Sequence, residues 1–262
     1  MLLADKVVII SGIGPGLGKE LAIEAARQGA KLAVAARTAS KLDDTEAELA
    51  SLGLSNEIIK VPTDISDIEQ CKNLVAKTVE KYGRIDSLIN SAYNPGPFGP
   101  IESADLSGWR EALEVNLFGT MQLTQECIPA LKDNGGGSIV MINTMVTRKP
   151  LAGQGGYATS KSALTSATAH LALELGAHNI RVNSAYMGWM MGPPVESALK
   201  MMAKGAGTDY DTVKAGVESS IALGAIPDDS DCAKAAIFLA SDYACAVTGA
   251  SLDVNGGEFF PR

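Results

Sequence analysis

Tyr157 and Lys161 stand four residues apart in a stretch of helical patterning, so a helix would set both side chains on one face about a turn apart. A phenol is ordinarily a poor base at neutral pH, but a neighbouring ammonium favours the phenolate, so the pair is suited to moving a proton. Far upstream, Ser11-Gly12-Ile13-Gly14-Pro15-Gly16-Leu17-Gly18 follows the first apolar run. Glycines there allow a sharp turn and let bare backbone approach a pyrophosphate, while the N–H groups and positive dipole end of a following helix attract its charge. The spacing is Gly-x3-Gly-x-Gly, because G-x-G-x-x-G would need a glycine at Leu17 or Lys19. The blander alternative is a turn that only joins a strand to a helix.

Such residues must be held by a scaffold, and the apolar pattern supplies one. Residues 6–10 read as a buried parallel strand and 16–29 as the helix after it, the context a phosphate loop requires. Further apolar runs at 31–36, 57–61, 85–90, 138–143, 180–185 and 251–254 bring the strand candidates to seven. Helical stretches at 39–52, 67–82, 107–132, 156–177 and 229–241 alternate with them, which predicts an α/β fold with a doubly wound parallel sheet covered on both faces. No linker or repeat divides residues 1–262, so one domain is expected, with 187–226 as an inserted substrate-binding loop carrying one or two helices. Ligands of such sheets lie beyond the carboxyl ends of the strands. Gly12, Asn90, Thr144 and Met187 all fall at or just after strand ends, so one cleft can gather them.

Composition narrows the partners. A net charge of −8 leaves no basic footprint for nucleic acid or an anionic membrane surface, and a small molecule is the expected ligand. Cys71, Cys127, Cys232 and Cys245 are widely spaced, and only His170 and His178 are present, so neither a disulfide framework nor a metal site is expected and the thiols read as reduced and buried. The first strand begins too early to follow a signal peptide, and no apolar run reaches 18 residues, which predicts a cytoplasmic protein.

Gly12-x3-Gly16-x-Gly18, Asn90-Ser91-Ala92, Asn116, Thr144, Tyr157-x3-Lys161 and Arg181-Val182-Asn183-Ser184, taken in order, resemble the short-chain dehydrogenase/reductases over nearly the whole chain. The resemblance implies a Rossmann-like seven-stranded sheet in three α/β/α layers, a nicotinamide cofactor and a homotetramer or homodimer. It casts Tyr157 as general acid/base, Lys161 as the residue that binds the nicotinamide ribose and lowers the tyrosine's pKa, Asn116 as holder of a water in the proton relay, and Thr144 as the hydroxyl on the substrate oxygen. It also places Asp64, with Ile65 beside it, at the adenine, Asn90 and Ala92 under the cofactor, and Ser11, Gly12, Gly14, Gly16, Leu17 and Gly18 around the pyrophosphate. Met187 and Gly188 fall at the nicotinamide clamp.

Four positions depart from the family pattern. Thr144 replaces a serine, keeping the hydroxyl but stiffening χ1. Tyr93 takes the place of a glycine and is expected at the substrate entrance; Met187 replaces a proline; Gly192 stands where a threonine often sits. At the end of the second strand Ala36 offers no carboxylate for a ribose hydroxyl, and Arg37 offers a positive fork suited to a 2′-phosphate, which predicts NADP(H) preference with NAD(H) possible. The alternative is an arginine that stacks on adenine and tolerates NAD(H) equally. Five of the nine methionines fall in 187–202, and Met187, Trp189, Met190 and Met191 with Tyr93 suggest an adaptable apolar pocket for a hydrophobic, cyclic or aromatic secondary alcohol or ketone. The methionines suit a lid helix or subunit interface equally well. Arg148 and Lys149 read as a solvated pair or as a seat for an anionic group. The expected enzyme is an NAD(P)-dependent alcohol dehydrogenase or ketoreductase; the alternative is a cofactor-binding protein with little catalysis, serving as sensor or assembly partner.

Overall fold

The computed structural model describes residues 1–260 and builds one seven-stranded sheet, entirely parallel, in the order β3-β2-β1-β4-β5-β6-β7. The strands are β1 (Val7–Ser11), β2 (Lys31–Ala36), β3 (Ile58–Pro62), β4 (Ser87–Asn90), β5 (Gly137–Thr144), β6 (Ile180–Met187) and β7 (Ser251–Val254). They fall within two residues of the positions their apolar runs predict. The order reverses between β1 and β4, and there the glycine loop leaves the sheet.

Alternation along each strand feeds two cores. Val8 and Ile10 of β1, Leu32 and Val34 of β2 and Val140 of β5 face one side, where α1 (Leu17–Arg27) and α9 (Asp229–Ala240) cover them. Ile9, Ala33, Ile139 and Met141 face the other side, under α3 (Ile68–Tyr82), α5 (Thr120–Asp133) and α6 (Gly155–Leu175). Every one of these strand residues is fully buried, and each large aliphatic is worth about 1.5–3 kcal/mol. α2 (Ala39–Ser51) adds Leu42 and Leu49 to the first core.

The single helix expected over 107–132 is divided. α4 (Leu106–Leu113) passes into a π-helical turn over Glu114–Gly119 and only then into α5. Asn116 lies in that turn, its side chain bonded outside the helix, and at Gly119 a Cβ would stand 2.9 Å from the Ile65 carbonyl oxygen. The insertion after β6 folds as α7 (Pro193–Ala206) and α8 (Tyr210–Glu218) around a small core of Leu199, Ile221 and Ile226. Arg181 and Asn183 are structural. The Arg181 guanidinium donates to the Leu239 and Ser241 carbonyls at 2.9 Å, capping α9, and the Asn183 amide bonds Val247 and Ala250.

Of the cysteines, Cys71, Cys127 and Cys232 are buried as expected, whereas Cys245 is exposed, lying just past the short turn that follows α9. Among the described residues no helix is long and apolar enough to cross a membrane, and no cluster of ligating side chains is suited to a metal ion.

Candidate active site

A cavity of about 600 Å³ opens beyond the carboxyl ends of the strands, from the glycine loop at one end to Phe98, Leu151 and Trp189 at the other. Gly12, Gly14, Gly16, Leu17 and Gly18 line it, together with Arg37, Asp64, Ile65, Ala92, Tyr93, Thr144, Tyr157, Lys161, Met187, Gly188, Trp189 and Met190. The loop is a cradle only glycines can build. A Cβ on Gly12, whose φ is +88°, would lie 2.2 Å from the Ala92 nitrogen, and one on Gly18 would lie 2.2 Å from the Gly12 carbonyl oxygen. Bare backbone of this depth, closed by the N-terminus of α1, fits the diphosphate of a dinucleotide. The sequence-derived residues that would hold the rest of it stand around the same cavity.

Ser11, Asn90, Asn116 and Met191 lie outside the cavity wall. Ser11 and Asn90 are buried beneath it; the Asn90 amide donates to Thr124 Oγ1 at 3.0 Å, while its carbonyl oxygen and the Ser11 hydroxyl find no partner among the described residues. Asn116 is fully engaged by the chain: its Oδ1 accepts from Asn94 N at 2.7 Å, and its Nδ2 donates to Asn94 O and Ser160 Oγ, each at 2.8 Å. Ser160 Oγ in turn donates to Tyr157 O. Asn116 therefore braces the loop after β4 against the helix that carries Tyr157. Met191 turns away to pack on Leu199, Ile221 and Ile226, because its backbone bridges to Pro227 and Asp229. The methionine cluster thus divides: Met187 and Met190 line the cavity, Met191 packs under α7, and Met201 and Met202 are exposed on that helix.

Tyr157 and Lys161 sit on one face of α6, and Thr144 ends β5 beside them. Burial pushes the Tyr157 phenol well above its ordinary pKa, with Tyr93 adding to the rise, whose ring centroid is 6.2 Å away, and with a hydrogen bond from Thr144 opposing it. The same burial lowers Lys161 to about 7, and its Nζ donates to the Ile142 carbonyl at 2.8 Å. Burial, not a charged neighbour, dominates the phenol in the protein alone, and Lys161 is not among the groups that shift it. At neutral pH Tyr157 is a phenol, a proton donor.

Several wall residues carried no legible signal. Lys41, in the first turn of α2, brings its Nζ within 3.9 Å of where a Gly14 Cβ would stand, and makes no ion pair among the described residues. Its only mark in the sequence is its place four residues after Arg37. Asp229, at the start of α9, lines the cavity beside the glycine loop; a Cβ on Gly192 would stand 2.3 Å from its carboxylate, so a side chain there would have to displace that carboxylate. Burial raises the Asp229 carboxyl above its usual range. Arg148 and Lys149 are both paired within the chain: Arg148 pairs with Asp253 and stacks 3.8 Å over the Tyr186 ring, and the partly exposed Lys149 pairs with Glu258 at 2.8 Å.

A parallel sheet in this order, a glycine cradle at its switch point and a Tyr/Lys pair across the cavity define a nicotinamide-dependent oxidoreductase. Comparison with known proteins agrees. The family model described as enoyl-(acyl carrier protein) reductase matches residues 12–258. Levodione reductase of Leifsonia aquatica is 28% identical over 97% of this chain and 94% of its own. Trans-4-hydroxycyclohexanecarboxylate dehydrogenase of Sinomonas cyclohexanicum is 31% identical over 97% of this chain and 93% of its own. Among solved structures, carveol dehydrogenase from Mycobacterium avium in complex with NAD superposes with a TM-score of 0.90 at 27% identity, covering 98% of each chain. The chain belongs to the short-chain dehydrogenase/reductase family and is an NAD(P)-dependent oxidoreductase acting on CH–OH groups.

Proposed function

We propose that this enzyme interconverts a hydrophobic, cyclic or aromatic secondary alcohol and its ketone, with NADP(H) favoured over NAD(H), as a cytoplasmic homotetramer or homodimer. The observation that carries the reading is the meeting of two hydroxyls, Thr144 and Tyr157, in a cavity whose lining also includes Tyr93, Phe98, Leu151, Trp189 and Met190. The ring-bearing substrates named for levodione reductase and trans-4-hydroxycyclohexanecarboxylate dehydrogenase support it. When bound, the nicotinamide supplies or accepts a hydride. The chain's own residues do the rest. Thr144 and Tyr157 hold the substrate oxygen; in the direction of reduction Tyr157 delivers its phenolic proton to that oxygen, the sense its raised pKa favours. Lys161, in its protonated fraction, stabilises the phenolate left behind and is placed to hold the ribose.

Arg37 and Lys41 support the preference for NADP(H): two cations beside the end of β2, neither neutralised by a partner among the described residues, suit a 2′-phosphate. The exposed Phe118 and Leu173 support self-association, which sedimentation would measure.

The test follows reduced-nicotinamide absorbance over a panel of cyclic and aromatic ketones with each cofactor. The Tyr157→Phe variant should lose about 10²- to 10⁴-fold in kcat while still binding cofactor. A variant that retains full turnover would overturn the assignment of the proton donor.

A further inference from the structure

Around Tyr157 the cavity wall carries, besides Thr144 and Lys161, three carboxamides, of which Asn143 is fully used by the chain and Asn94 in part. Asn143 accepts from Thr144 N and donates to Lys161 O and Thr165 Oγ1. Asn94 Oδ1 accepts from Gly96 N. Gln154 differs: it lines the cavity, is half-buried, and makes no side-chain hydrogen bond among the described residues.

Its position makes that freedom informative. Gln154 occupies the N-cap of α6, where Ser, Thr, Asp or Asn would turn a side-chain oxygen onto the helix's own N–H groups, yet it forms no such cap. Its backbone is held from several sides. Gly153, with φ +82°, accepts from Gly99 N at 3.0 Å, and Gly155 and Gly156 lie so close to the Trp109 ring that a Cβ on either would approach it to 3.1 Å or less. Gln154 and Tyr157 are three residues apart at the start of one helix, so both address the same end of the cavity. A half-buried amide on a backbone held in this way meets a ligand oxygen without breaking any bond within the chain.

We propose that Gln154 is a specificity-determining residue that hydrogen-bonds a second oxygen of the substrate, so that the preferred substrate is a cyclic hydroxyketone, dione or diol rather than a plain cyclic ketone or alcohol. This rests on the ketoreductase reading above. Gln154 carries both a donor and an acceptor, so it serves a carbonyl through Nε2 and a hydroxyl through either atom. A site built on such a bond disfavours the analogue that lacks the oxygen, because the amide then loses water and gains no partner.

The experiment compares 4-hydroxycyclohexanone with 4-methylcyclohexanone, which differ by one hydroxyl of nearly the same size, using NADPH and NADH. The native enzyme should favour the hydroxyketone in kcat/KM by roughly ten- to hundredfold. In Gln154→Met, whose cofactor affinity and melting temperature check that it is folded, that ratio should fall to about one or invert. Equal kcat/KM for the two ketones in the native enzyme, or a preference that survives in Gln154→Met, would overturn the assignment of Gln154. Failure to reduce any ketone of the wider panel would instead count against the ketoreductase reading itself.

Discussion

Replacing Lys161 with methionine, which keeps its length and removes its charge, should make the enzyme more stable at neutral pH and inactive. Burial holds Lys161 at about 7 against an ordinary 10.5. At about 1.4 kcal/mol for each tenfold change in proton affinity, burying it costs about 4 kcal/mol at pH 7. Methionine escapes that cost but leaves the Ile142 carbonyl without its Nζ donor, a loss of about 1–3 kcal/mol. The net gain of about 2 kcal/mol should raise Tm by about 4–8 °C for a chain of this size. The sign in pH follows from proton counting: between 7 and 10.5 the unfolded chain binds one more proton here than the folded chain, so native stability rises with pH. Relative to Lys161→Met that rise is about 1.4 kcal/mol per pH unit, and the variant's advantage should vanish near pH 9, roughly where the remaining burial cost equals the lost bond. Thermal unfolding of both proteins in parallel from pH 6.5 to 9.5 measures the difference and cancels every other titrating group. A variant less stable than the parent at pH 7, or a Tm difference that does not change with pH, would refute the reasoning.

Arg37→Ser combined with Lys41→Ala should weaken NADP+ binding by about 10- to 100-fold in isothermal titration and leave NAD+ within about twofold, the pair's value being reduced by its exposure to solvent; parallel loss of both cofactors would remove the argument for NADP(H). Gly12→Ala should cost about 2 kcal/mol or more and abolish dinucleotide binding, because its Cβ meets Ala92 at a positive φ, whereas a Cβ on Gly14 finds nothing nearer than 3.9 Å and Gly14→Ala should shift stability by less than about 1 kcal/mol. Differential scanning calorimetry of the two variants decides it.

What the sequence made legible was what local pattern controls. Each strand is built around a short apolar stretch bounded by turns, and Gly12 and Gly18 mark backbone that approaches backbone, a demand visible in residue type alone. Tyr157 and Lys161 keep helical spacing, so a shared face followed directly. The bracing contacts of Asn116 and the place of Asp229 were illegible for a common reason. The partners that fix Asn116, Asn94 and Ser160, lie 22 and 44 residues away, and Asp229 meets the glycine loop only because α9 packs on α1. Met191 was misplaced because which way a residue turns after β6 is decided by a backbone bridge to Pro227, not by its hydrophobicity. Residue type could not show that burial would pull Tyr157 and Lys161 toward their neutral forms, because that requires knowing how completely each is enclosed.

The clasp that joins Arg148 and Lys149 to Asp253 and Glu258 sets an order of events during synthesis. Thr144 and the cations behind it emerge more than a hundred residues before the carboxylates that neutralise them, and those carboxylates lie within the last ten residues of the chain. A ribosome-bound chain can lay down β1 to β6 while two cations beside the future catalytic hydroxyl still lack their counter-charges. The clasp behind Thr144 closes only once β7 has joined the sheet and brought Glu258 with it, although no residue of that segment lines the cavity itself.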